Sequence, residues 1–348
     1  MRIGTPVATS ALKVRRARLD SMLGATALDR PPLGGLGYGY GHGERTETRW
    51  MTSVDAPLLL SNNPQVDVWL AGDRIDSGRT GAVHWRSDGH WAMGYIDLPE
   101  GDEGLANLSE AAEAAYRDLF QALQDTGCPH LQRIWNYLPR INEDGGGLER
   151  YRQFNIGRQQ AFIDAGQAVY EGSPAACALG RQNGGLSICF LAGQRPPLAI
   201  ENPRQVSAYR YPSEYGPRAP TFSRAALADI GDGQLALFIS GTASIVGHAT
   251  KHLGDVAEQT RETLRNLQAV VDVANERCNA RFTIAELHPV VYVRHAADAS
   301  RVREVIDEVL GADATLLQHA VFLQADICRH DLLVEIEAHA IAGGVLHA

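Results

Sequence analysis

No apolar run in this chain approaches the roughly 18 to 20 residues that a membrane-spanning helix needs. The basic N-terminal stretch MRIGTPVATSALKVRRARLD is not followed by the apolar core of a secretion signal. A cytoplasmic location is expected, with no membrane partner. The five cysteines, Cys128, Cys177, Cys189, Cys278 and Cys328, are odd in number and form no CxxC pair. That disfavours a disulfide framework or a zinc site and fits a reducing compartment. A Walker loop, a GxGxxG fingerprint and a Ser-His-Asp context are all missing, so catalysis without a cofactor is expected. An excess of positive charge is missing too. The formal net charge of −9 argues against a nucleic-acid partner and gives an anionic substrate no general attraction. An anion site would have to be built from a local arginine cluster.

What is present is the composition of a globular protein, 45% hydrophobic and 21% charged over 348 residues. That length is too great for one ordinary core and favours two domains. Residues 1–55 show little periodicity, and PPLGGLGYGYGHGE (31–44) reads as an irregular segment whose glycines do not have phosphate-cradling spacing. VDVWLAG (66–72) and HWAMGYIDL (90–98) alternate as strands do. A helix begins at Leu108 or Ser109, with Ser109 as its cap, and ends at Gly127. Strand LQRIWNYLP, helix GLERYRQFNIGRQQAFIDAG and strands ACALG and LSICFLAG follow. The second half repeats this order: a helix over 255–274, strand material in FTIAELHPVVYVRH, helix ASRVREVIDEVLG, then AVFLQADIC and LLVEIEAHA. The expected fold is α+β with mixed sheets, built from two related β-α-β-α-β domains, 56–195 and 196–348, that meet at GQRPP and form an internal pseudo-oligomer. An accidental likeness of element order is the alternative.

Along LLVEIEAHA, Val334, Ile336 and Ala338 share one face, and Glu335, Glu337 and His339 share the other. Two carboxylates about 7 Å apart on one strand face raise the pKa of the less solvated one. Glu335 is the better candidate for an acid kept protonated near neutral pH. The alternative is a pair of solvated acids on an edge strand. Tyr151 and Arg158 are seven residues apart on a predicted helix, so their polar heads can converge, a guanidinium offering a bidentate clamp and a phenol a neutral donor. Tyr209, Tyr215, Arg218 and Arg224 occupy a Pro- and Gly-containing loop, while Arg150, Arg152, Arg204 and Arg210 read as ordinary surface charges. Gly241 follows the strand LALFIS, where it is either a turn residue or a point of close approach to a ligand. Cys328 precedes the last strand, and a lone cysteine there is usually a small buried hydrophobe. His248 and His252 have helical metal-ligand spacing, but with no Glu after the first and no third ligand a zinc site is not expected.

The stretches LFISGTASIVGHATKHLGDVAEQTRETLRNLQAVVDVAN and VFLQADICRHDLLVEIEAHAIA resemble the RidA/YjgF family. ENPRQVSAYRYPSEYGPRAPTFSRA and YRQFNIGRQQAF narrow the resemblance to the chorismatases, which remove pyruvate from chorismate; it covers roughly residues 55 to 348. The resemblance implies that Glu335 is the functional glutamate and that Tyr151, Arg158, Tyr215 and Arg224 hold the two substrate carboxylates. For Tyr209 and Arg218 a structural role fits as well. The pairing of Gly241 with Cys328 resembles the branch that forms 3-hydroxybenzoate, with Cys328 acting either as a transient nucleophile or as pocket wall. One departure from the RidA pattern is Ala320, at the position where those deaminases carry a carboxylate-binding Arg. The alternatives are a hydrolytic chorismatase yielding a dihydroxycyclohexadiene carboxylate, or a mixture with 4-hydroxybenzoate, and, from another class, a RidA-like carboxylate-binding module or enamine deaminase. RidA proteins are trimers with sites between subunits. A duplicated chain makes such an interface internally, so a monomer is expected.

Overall fold

A computed structural model of the chain describes residues 11–18, 21, 28–39, 50–99, 108–181, 184–311 and 314–347. Two seven-stranded sheets carry most of it. The first runs in the order β19-β10-β9-β11-β8-β7-β6, where β6 is Asp76–Thr80, β7 Val83–Ser87, β8 Trp91–Leu98, β9 His130–Pro139, β10 Ala175–Arg181, β11 Leu186–Gly193 and β19 Asp326–Ile327. The second runs β12-β13-β14-β20-β17-β18-β4, with β4 Leu58–Leu59, β12 Leu198–Ile200, β13 Ala225–Gly231, β14 Gln234–Ala243, β17 His288–Val293, β18 Val321–Gln324 and β20 Val334–Gly343.

Strand for strand, the two sheets have the same order. In each, antiparallel strands lead into a long central pair, β8 with β11 and β14 with β20. The next strand is antiparallel to the pair, and the one after it is parallel to its neighbour, β10 on β9 and β18 on β17. Two helices occupy matching places in each half. Helix α1 (Leu108–Thr126) and α2 (Arg150–Asp164) serve the first, α3 (Val256–Glu276) and α4 (Ala299–Leu310) the second. This is the duplicated α+β layout expected from the element order, with one addition: the halves exchange edge strands. β19, from the second half, pairs with β10, and β4 pairs with β18. Leu186–Gly193 belongs to the first sheet and Leu198–Ile200 to the second, so the chain passes between sheets across the GQRPP segment.

Each helix pair covers the outer face of its own sheet. Leu108, Ala112, Ala115, Leu119 and Leu123 form one stripe of α1 and pack with Ile134, Ile188 and Phe190. The helix starts at Leu108, so Ser109 lies in its first turn and not before it, and Gly127 at φ 68° ends it. Asp255 caps α3 by accepting from the Glu258 N–H at 3.0 Å. Gly157 of α2 is set by packing: a methyl group there would overlap the Ser109 carbonyl of α1. The inner faces of the two sheets meet in a shared core that includes Trp135, Tyr137, Cys177, Phe238 and Tyr292.

The N-terminal segment corrects the expectation of irregular structure. Lys13–Ala17 (β1), Pro32–Tyr38 (β2), Met51–Val54 (β3) and Gln65–Leu70 (β5) form a separate four-stranded sheet in the order β1-β5-β2-β3. Leu33, Leu36 and Tyr38 are buried in the inter-sheet core. The strand at 66–72 therefore belongs to this small sheet and not to the first large one. Residues 40–44 of the glycine-rich stretch lie outside the described residues. No helix among the described residues is long and apolar enough to cross a membrane.

Candidate active site

The last strand, β20, is the fourth of seven in its sheet, flanked by β14 and β17. Its side chains alternate as expected: Val334, Ile336 and Ala338 enter the outer core, and Glu335, Glu337 and His339 face the other sheet. The edge-strand alternative is thereby removed. All three polar residues are buried, Glu335 and Glu337 at 3% and 2% exposure.

The two carboxylates differ in their partners. Glu337 forms an ion pair with Arg133, which reaches across from β9 of the first sheet. The Tyr292 hydroxyl donates to Glu337 Oε1 at 2.6 Å and lies 2.9 Å from the Tyr137 hydroxyl. Among the described residues Glu335 has no ion-pair partner. Its Oε2 lies 4.0 Å from the Cys328 Sγ. Burial, reinforced by the charge of Glu337, pushes the Glu335 carboxyl up to about 8, so it holds its proton at neutral pH. Burial and the neighbouring Glu335 push the Cys328 thiol up to about 12. At neutral pH it is a thiol, which favours the pocket-wall role over the nucleophile.

Backbone irregularities bring these groups together. The ladder between β14 and β20 slips between Ile239 and Thr242, placing Ser240 and Gly241 outside the regular pairing. Gly241 faces Glu335, and a methyl group at 241 would overlap Glu335 Oε1 and lie 3.2 Å from the Cys177 Cβ. The close approach that its glycine permits is therefore to the glutamate. Cys328 directly follows β19, the strand that crosses to the first sheet, and the chain then returns to the second sheet as β20.

A cavity of about 320 Å³ opens beside these residues, its wall including Tyr151, Tyr215, Arg224, Gly241, Cys328 and Glu335. Six of the seven site residues read from the sequence are thus brought together. Arg158 does not line the cavity. It is buried, with its guanidinium carbon 5.3 Å from the Tyr116 ring centroid and 5.2 Å from that of Phe162, and its Nε and Nη2 lack hydrogen-bond partners. Arg224 precedes β13 and donates from Nη2 to the Val206 carbonyl (2.9 Å) and the Tyr211 hydroxyl (2.8 Å), leaving a buried Nε without a partner. Tyr215, in a short 3₁₀ turn (Ser213–Tyr215), donates its hydroxyl proton to the His248 carbonyl at 2.8 Å.

Other sequence assignments divide. Arg218 donates to Gln159 at 3.1 Å and Tyr209 stacks edge-on against Tyr170; neither lines the cavity. Arg150 is buried and donates to the Pro139 carbonyl at 2.6 Å, so it is not a surface charge. Arg152 lines the cavity while paired with Glu149 at 3.1 Å. Arg204 pairs with Glu262. His248 and His252 precede α3 and are not on a helix. His248 lies 3.1 Å from the Tyr215 hydroxyl, and His252 faces Glu262 at 3.4 Å. Arg133, Tyr211, Tyr292 and Arg329 escaped the sequence reading. Arg329 had a local signal, its position directly after Cys328; Arg133 had none.

Residues 67–192 match the family model described as chorismatase FkbO/Hyg5-like, N-terminal. A 3-hydroxybenzoate synthase of Streptomyces hygroscopicus is 37% identical over 285 residues, covering 79% of this chain and 81% of that protein. A chorismatase of Streptomyces rapamycinicus is 38% identical over 278 residues, covering 78% and 80%. A crystal structure of a chorismatase superimposes with a TM-score of 0.82 at 32% identity, over 96% of this chain and 99% of that one.

Proposed function

The chain belongs to the chorismatase family, and from that premise we propose that its cavity converts chorismate to 3-hydroxybenzoate and pyruvate, with Glu335 as the proton donor. The observation that carries the reading is a carboxyl held up to about 8 at the wall of a cavity that also presents Arg224, Tyr151 and Cys328. Chorismate divides into these two products without net uptake of water or electrons, so the protein has to manage one proton and hold an anion in place. Glu335 delivers its proton to the enolpyruvyl methylene, and the ether carbon becomes oxocarbenium-like. The bond between the ether oxygen and the ring carbon then breaks, its electron pair completing the pyruvate carbonyl, and the Glu335 carboxylate takes back one proton from the ring fragment as it aromatises. An acid with a pKa near the working pH is suited to this transfer.

Arg224 holds one of the substrate carboxylates at the cavity wall, and alignment with charge complementarity supplies much of the rate enhancement. Arg158, which does not line the cavity, packs against the Tyr116 and Phe162 rings and has a supporting role. Gly241 keeps Glu335 in place, and Cys328 shapes the ring pocket so that the ring intermediate aromatises before water adds. Both halves of the chain contribute to the cavity wall, Tyr151 from the first and Arg224 and Glu335 from the second, and a monomeric catalyst is expected, to be checked by light scattering.

The deciding experiment is incubation with chorismate, coupled detection of pyruvate, and chromatography of the aromatic products. Equimolar pyruvate and 3-hydroxybenzoate are expected. A dihydroxycyclohexadiene carboxylate would place the enzyme in the hydrolytic branch, and absence of pyruvate would overturn the reading.

A further inference from the structure

Arg329 lines the cavity, immediately after Cys328 in sequence. Its guanidinium carbon lies 4.0 Å from the Tyr215 ring centroid and 5.1 Å from that of Tyr211. Nη1 donates to the His248 carbonyl at 2.8 Å and to Thr250 Oγ1 at 3.4 Å, while Nη2 is buried with no hydrogen-bond partner. Among the described residues Arg329 forms no ion pair. Of the acids around the same cavity, Glu335 is held protonated by burial and the other three have partners of their own. Glu149 pairs with Arg152 at 3.1 Å, Asp331 accepts from Thr250 at 3.2 Å, and Glu214 lies 3.7 Å from His248.

A guanidinium N–H withdrawn from water without a partner is costly, and an anionic ligand removes that cost. The Tyr215 hydroxyl is already engaged with His248, 2.8 Å from its carbonyl and 3.1 Å from Nδ1. What Tyr215 offers is its ring face, which holds Arg329 against the wall. Arg224 is the other wall guanidinium without an ion pair among the described residues, and it too has an unpartnered buried N–H, at Nε.

We propose that Arg329 is a carboxylate clamp of this site, taking one of the two substrate carboxylates while Arg224 takes the other, with Tyr215 as the residue that positions Arg329. The proposal rests on the chorismate reading of the cavity. It is tested on the full chain with Arg329→Gln and Arg329→Lys, using the two reaction fragments as probes. 3-Hydroxybenzoate and pyruvate each carry one carboxylate, so calorimetric titration of each reports on one clamp.

Arg329→Gln should weaken one fragment by about tenfold or more and leave the other within about twofold, as expected for loss of one charge-assisted contact. KM for chorismate should rise by a larger factor than kcat falls. Arg329→Lys should fall between, and Arg303→Gln, on an exposed helix face, should change nothing. Equal weakening of both fragments together with a lower Tm would mean a merely structural Arg329 and overturn the proposal. So would unchanged binding of both, or a wild-type protein that binds neither fragment. Failure of the chorismate reading is separable: it appears as absence of pyruvate release by wild type, whereas the titrations need no turnover.

Discussion

Gly241 gives up its side-chain volume to the carboxylate of Glu335, with the glycine at the slip in the β14–β20 ladder and the acid opposite it on the central strand. A substitution that adds only a methyl group must therefore move the proton donor. Gly241→Ala should lower pyruvate release by about 10² or more, the scale of a lost general acid, and not merely alter the product ratio. Steady-state kinetics with product chromatography checks this. A variant of near-normal rate would show that the carboxylate can move aside without cost.

Glu335→Gln keeps the shape and loses the proton, so turnover should fall by about 10² or more while fragment binding persists. Its pH behaviour follows from the raised pKa. Below 4.5 the group is protonated whether the chain is folded or unfolded. From there up to about 8 only the unfolded chain gives up its proton, so stability is lost as pH rises through this window. The wild-type Tm should thus decline relative to Glu335→Gln between these limits, and wild-type kcat/KM should fall as pH passes about 8. Parallel Tm curves would mean that Glu335 titrates normally.

Glu337 and Arg133 are a buried pair, each 2–3% exposed at the side chain. Glu337→Gln removes the negative neighbour of Glu335, so the basic limb of the pH–rate profile should move to lower pH. It also strands Arg133, at a cost of about 3–5 kcal/mol in stability. The double change Arg133→Met with Glu337→Leu should recover much of that stability. A stable single variant with an unmoved profile would separate this pair from the acid.

Cys328→Ala should keep turnover within about tenfold of wild type, because a thiol pushed up to about 12 is not a ready nucleophile at neutral pH. The expected change is in partition, with less 3-hydroxybenzoate and more of the dihydrodiol acid or another hydroxybenzoate. Consistently, iodoacetamide near pH 7 should leave Cys328 unalkylated. Loss of all pyruvate release in the alanine variant would restore the nucleophile.

Local pattern was enough for much of this site. The strict alternation of Val334, Glu335, Ile336, Glu337 and Ala338 identified the last strand and which residues share a face, because a strand's side-chain period does not depend on its neighbours. The periodicity of α1 and the order of elements that makes the halves alike are likewise local.

What the chain alone left open depends on partners distant in sequence. Whether β20 is an edge or a centre follows from its pairing with β14 and β17, and only central placement buries Glu335 and raises its pKa. Arg133, which distinguishes Glu337 from Glu335, comes from 204 residues away on the opposite sheet. Pro32–Tyr38 lacks a strand-like sequence and is a strand because β5 and β3 supply its hydrogen bonds. Arg158 sits on the predicted helix yet does not line the cavity, because its guanidinium packs against the rings of Tyr116 and Phe162. Helical and strand periods are short-range properties of the backbone, whereas burial, ion pairing and the pKa values that follow from them are set by which surfaces meet.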